Sequence, residues 1–181
     1  HERCVAIGEI GFNNITPNEE KAFVRQLRIA KERNMPAIIH LPHNDKLRGT
    51  VRTAEIVKAE GVDPEKTIID HNTEETIQAA LDTGCFAGLT VYPISKLTPE
   101  RVSNMIHEYG SERIIVNGSA DWGVSDPLSL VKVVDYMQAH GHSAETIRNL
   151  VFNNAMAFYG HSENWKPDFD LTPIDPREFQ R

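Results

Sequence analysis

A chain of 181 residues, 40% of them hydrophobic and 25% charged, is long enough for one domain with a substantial core and too apolar to be disordered. A net charge of −7 excludes a general basic attraction for nucleic acid, although a metal in a local cleft still draws phosphate to an acidic protein. No apolar stretch reaches membrane-spanning length and no secretory leader is read at the first residues, so a cytoplasmic location is expected.

In chain order, Val5 to Phe12 reads as a strand. Thr16-Pro17 opens a helix, with Thr16 as N-cap and Glu19 three residues on, and Phe23, Leu27 and Ala30 at helical spacing. Pro36 to Leu41 is a second strand, followed by a helix from about Thr50 to Glu60 that Gly61 ends. Thr67 to His71 is the third strand, with a helix starting near Thr73 and stopping at Gly84. Cys85 to Tyr92 is the fourth, before a helix opened by Thr98-Pro99 and closed by Gly110. Arg113 to Asn117 is the fifth, and the next helix covers Pro127 to His140. A last helix is expected over Ala144 to Tyr159, capped by Ser143.

Short strands alternating with helices of ten to fifteen residues mark parallel βα units in an α/β fold. The strands are apolar on both faces, as strands covered by helices are. A domain over residues 1–162 and a C-terminal extension over 163–181 are expected. Cys4 and Cys85 belong to no disulfide framework and read as small buried residues.

Polar residues at the C-terminal ends of parallel strands fall where βα loops build active faces. Glu9 lies in the first strand, His40 ends the second, Asp70-His71 ends the third, and the fifth leads into Asp121. A carboxylate in a glycine-flanked apolar strand is costly unless paired or bound to a cation. Two imidazoles and two carboxylates on successive units suit a divalent metal, with Glu9 placed to bridge two ions. His43, three residues past His40, reads either as a substrate contact or as an exposed loop residue. Lys46 and Arg48 either meet an anionic substrate or are simply solvated, and Tyr92 and Trp122 either line a pocket or pack at its rim. His107, His140, His142 and His161 are expected on the surface, away from the strand ends.

Ala6-Ile-Gly-Glu-Ile-Gly11, Pro36-Ala-Ile-Ile-His40, Ile69-Asp-His71 and the strand leading to Asp121 together resemble the TatD family of metal-dependent hydrolases. Asn153-Asn-Ala-Met-Ala-Phe-Tyr-Gly160 is similar to that family's final helix. The resemblance implies an amidohydrolase-like TIM barrel, with these five strands as strands four to eight of a partial (β/α)8 barrel. It implies metal ligands at Glu9, His40, His71 and Asp121, one or two divalent ions (Zn, Mg or Mn), and hydrolysis of a phosphoester or related bond in a small molecule or nucleic acid. In that reading Glu9 and Asp121 are catalytic, Asp121 takes the proton of the attacking water, and His43, Lys46, Tyr92 and Trp122 contact substrate.

Nothing in the chain matches the family's opening His-x-His motif or its strands one to three. Five strands leave two sheet edges unpaired. The chain is therefore expected to be a fragment, completed by the missing strands or by a second chain. The rival expectation is a non-catalytic, degenerate barrel that binds a metabolite or a protein partner.

Overall fold

The computed structural model describes residues 2–119 and 123–167. Its centre is a five-stranded, all-parallel sheet in sequential order: β1 (Ile7–Gly11), β2 (Ala37–His40), β3 (Thr67–Asp70), β4 (Phe86–Val91) and β5 (Ile114–Gly118). Between them run α1 (Pro17–Glu32), α2 (Lys46–Glu60), α3 (Ile77–Leu81) and α4 (Pro99–Tyr109). After β5 come α5 (Ser129–Ala139), α6 (Ala144–Arg148) and α7 (Asn154–Gly160). Among the described residues no helix is long and apolar enough to cross a membrane.

Local sequence explains most boundaries. Thr16 and Glu19 close the expected capping box at the start of α1, and Thr98 accepts from the Arg101 amide at the start of α4. Three elements depart from the sequence reading. The second helix starts at Lys46, four residues early, because Asp45 turns the chain through a left-handed conformation (φ 50°) without any side-chain cap. The third is only five residues long, since a turn closed by Thr73 and Thr76 replaces its first part. The terminal helix is not continuous: a π-helical stretch over Asn149–Asn153 separates α6 from α7. Cys85 is buried as expected, but Cys4 is exposed.

Side chains alternate across each strand, and β2 to β5 feed two cores. Ile39, Ile69, Ala87, Leu89, Ile114 and Val116 face the helices, joining Phe23, Leu27, Val57, Met105, Val133 and Met137 in the main core. On the opposite face Ile68, Phe86 and Ile115, near the N-terminal ends of β3 to β5, pack on Phe158 of α7. Phe158 is fully buried and meets Phe86 edge to face at 6.1 Å. Asn154 fixes that placement by donating to the Ser111 and Ile114 carbonyls. The chain then returns to β1, where Asn164 donates to the Cys4 carbonyl and Trp165 stacks on Tyr159. The inner face is thus covered at one end of the strands and left to polar residues at the other.

Of the histidines expected on the surface, His142, between α5 and α6, is the half-buried one. Its ring stacks on His107 and its Nε2 lies 2.9 Å from the buried Ser103 hydroxyl. Burial, then the nearby His107 and His140, hold its pKa below the ordinary histidine value. The unfolded chain then takes up a proton at a higher pH than the folded one, so this contribution is present above the ordinary histidine pKa and lost as pH falls below it. Melting temperature is expected to drop between about pH 7.5 and 5.5, and to drop less in His142→Gln. Equal drops in both proteins, measured by calorimetry, would contradict this.

Candidate metal centre

Glu9, His40 and His71 come from β1, the end of β2 and the residue after β3, at the C-terminal edge of the sheet. β1 carries an irregularity: Ile7 pairs with Ala37 and Ile10 with Ile39, so Gly8 and Glu9 together face Ile38. Such a bulge re-aims a side chain that regular pairing would direct elsewhere. The flanking glycines follow from the closeness of β2. A Cβ on Gly8 would fall 2.8 Å from Ile38 Cβ, and one on Gly11, whose φ is +131°, 2.5 Å from the His40 carbonyl oxygen. The Gly-Glu-Ile-Gly pattern is therefore a steric requirement of placing Glu9 at this edge.

Glu9 Oε1 lies 3.0 Å from His71 Nε2, and Glu9 Oε2 lies 3.5 Å from His40 Nδ1. The two imidazoles meet edge to face with centroids 4.8 Å apart. One ligand atom from each of the three residues lies within 4.8 Å of the other two. The His40 and His71 rings beside it hold the Glu9 carboxyl far below the usual carboxylate range, against the opposing effect of burial. His40 Nδ1 is buried and makes no hydrogen bond, an unusual state for an imidazole nitrogen. A divalent ion between the three residues would satisfy that nitrogen, and two imidazoles with a carboxylate are a donor set that suits it.

Behind His71 lies a second layer. Thr90 Oγ1 is 2.7 Å from His71 Nδ1, and its hydroxyl donates to Asp70 Oδ1 at 3.3 Å. The buried Asp70 carboxylate also accepts from Asn117 Nδ2 at 3.0 Å and from the His71 amide at 2.7 Å. Room for it exists because residue 88 is glycine; a Cβ there would sit 2.1 Å from Asp70 Oδ1. His71 itself is left-handed (φ 67°), a conformation uncommon for a side-chain-bearing residue, and the next amide, of Asn72, bonds to the Gly88 carbonyl. The sequence reading gave no role to Thr90, Asn117 or Gly88. Their signal is parity: residues 86, 88 and 90 share a face, as do 115 and 117.

The remaining expected site residues divide. Asp121 and Trp122 lie outside the described residues. Lys46, at the start of α2, donates to the His71 carbonyl at 3.0 Å. His43 is exposed but lines a small cleft beside His40 and His71, together with Lys46, Thr73, Ser95 and Lys96. Tyr92 is buried, and a Cβ on Gly123 would come 3.0 Å from its hydroxyl, so it sits beside the segment after β5. Lys96 was not expected: its Nζ lies 3.0 and 3.3 Å from the two His71 ring nitrogens. Two larger hollows, about 210 and 550 Å³, lie along α1 and do not include Glu9, His40 or His71.

Residues 1–160 match the protein family described as TatD related DNase. The chain belongs to that family. The resemblance carried by Gly-Glu-Ile-Gly, Ile-Ile-His and Ile-Asp-His is thereby borne out. An uncharacterized metal-dependent hydrolase of Methanocaldococcus jannaschii is 34% identical over 161 residues, covering 88% of this chain and 62% of that protein. A 3'-5' ssDNA/RNA exonuclease TatD of Escherichia fergusonii is 29% identical over 126 residues, covering 65% of this chain and 46% of that one. The chain thus spans about half to three fifths of the length of these relatives. Among solved structures, a TatD-like protein from Archaeoglobus fulgidus superposes with a TM-score of 0.69 at 29% identity, over 86% of this chain and 60% of that one. The phosphotriesterase homology protein of Escherichia coli gives the same TM-score at 20% identity, covering 86% and 59%, a likeness of fold alone. The parallel five-stranded sheet therefore belongs with barrel-like α/β folds of this family.

Proposed function

We propose that the chain is the metal-binding part of a TatD-type hydrolase that cleaves a phosphoester bond. The observation that carries the reading is the convergence of Glu9, His40 and His71, with the buried His40 Nδ1 making no hydrogen bond and meeting only Glu9 Oε2, at 3.5 Å. A divalent metal (Zn, Mg or Mn), as one or two ions, supplies Lewis acidity toward a phosphoryl oxygen and acidifies a water molecule. Glu9 offers an ionised carboxylate, His40 and His71 offer imidazole nitrogens, and Asp70 with Thr90 holds the His71 ring in place. Asp121 is assigned as fourth ligand and as acceptor of the proton from the attacking water. Tyr92 and Trp122 are assigned to the substrate rim.

The five βα units are read as strands four to eight of an eight-stranded barrel, completed by further strands or by a second chain. The coverage of the relatives supports this, as do edges β1 and β5, which have no further strand partner among the described residues. A cytoplasmic location remains part of the proposal. A second reading, a barrel that binds a metabolite without metal chemistry, draws on Lys96, a cation already beside both His71 nitrogens.

Chelation followed by titration with Zn, Mn or Mg separates the two. The proposal expects hydrolysis of a model phosphodiester to vanish with chelator and return with one of these ions. Phosphodiesterase activity indifferent to chelation, or absent with every ion in a protein extended to the length of its relatives, would refute it.

A further inference from the structure

We infer that Lys46, Lys96 and Thr73 form a seat for a phosphoryl anion beside the metal centre, taking a charged group of the substrate next to the bond that is cut. The three residues come from separate segments: the first turn of α2, the loop after β4 and the loop after β3. They line one cleft of about 50 Å³, room for a single phosphoryl-sized group.

Two observations call for an anion there. Lys46 is largely withdrawn from solvent, yet among the described residues its ammonium forms no salt bridge; its hydrogen-bond partner is the His71 carbonyl. Thr73 Oγ1 is buried in the same cleft with no hydrogen-bond partner. A tetrahedral oxyanion accepts from two ammonium groups and one hydroxyl at once, satisfying an orphaned donor and relieving the repulsion between the lysines. Lys96 then has a place to go when metal takes the His71 nitrogen. Its ammonium would pass from the imidazole to the anion, within the same cleft.

Use of the seat in catalysis rests on the hydrolase reading, whereas anion binding does not. The test is therefore equilibrium binding of inorganic phosphate, by calorimetry, to chelator-treated protein, with metal content of the metal-loaded proteins measured in parallel. Wild type is expected to bind phosphate more weakly as salt rises. Lys96→Met and Lys46→Met are each expected to weaken binding about tenfold, Thr73→Val about threefold, and Lys96→Arg to restore most of it. Lys58→Met, an exposed lysine on α2, is expected to leave binding unchanged. Lys96→Met is expected to load metal at least as well as wild type, since its ammonium no longer meets the His71 nitrogens. Phosphate binding that is absent from wild type, or unaltered by both lysine variants, overturns the seat whatever the metal result. Absence of metal with lysine-dependent phosphate binding overturns the hydrolase reading and leaves the seat standing.

Discussion

Glu9→Ala is expected to weaken divalent-metal binding by at least about a hundredfold while the domain stays folded. Glu9 is the only carboxylate of the described triad, and half of its side chain faces solvent, so little packing is lost with it. Without it, His40 and His71 present two imidazole nitrogens and no negative charge to oppose that of the cation. Equilibrium dialysis against Zn or Mn, with circular dichroism on the same samples, checks both halves. Unchanged affinity would mean that the triad is an ion-paired cluster without a metal role. Glu9→Gln is the sharper variant, since it keeps shape and hydrogen bonding and removes only the charge.

The second large effect concerns the layer behind His71. Nε2 is free to bind metal when the ring proton resides on Nδ1, and a hydroxyl 2.7 Å away is positioned to accept it. Thr90 can accept that proton because its own hydroxyl donates to Asp70. Thr90→Val, nearly the same shape, is therefore expected to lower metal affinity about ten- to a hundredfold with little change in melting temperature. Gly88→Ala acts on the same layer differently, because its new Cβ would sit 2.1 Å from Asp70 Oδ1. It is expected to cost about 1–3 kcal/mol of stability in addition to the metal-affinity loss. Metal titration and denaturant unfolding of the two variants separate the effects. Equal affinities in wild type and Thr90→Val would show that the Thr90–Asp70 chain does not set the His71 tautomer.

The strands and the first helix cap were legible because their signals are local. Apolar runs of four to eight residues and the Thr16–Glu19 box specify structure within a few residues of themselves. The start of α2 was not, since Asp45 makes its turn without capping the helix. Nor was the break at Asn149–Asn153: Ser143 caps a helix there as expected, but an apolar helical pattern carries no mark of one extra residue per turn.

Glu9, His40 and His71 could be found as costly polar residues at strand ends, one unit apart. Their distances could not, because the bulge at Gly8–Glu9 that aims the carboxylate depends on how β1 meets β2. Asp70 was visible but without a task until Gly88, Thr90 and Asn117 of neighbouring strands were seen on its face. Lys96 was beyond reach for a similar reason: it approaches His71 from a loop 25 residues along the chain. What is legible in sequence is the cost of a misplaced polar residue, whereas the partner that offsets it appears only with the register of the sheet.

One divalent ion is expected to bind Glu9, His40 and His71 together. X-ray absorption at the metal edge of the Zn-loaded protein tests it directly. The expected result is a first shell of nitrogen and oxygen at about 2.0–2.2 Å, with outer-shell scattering from two imidazoles that falls to one in His71→Ala. A shell without imidazole scattering, or one that His71→Ala leaves unchanged, would contradict it.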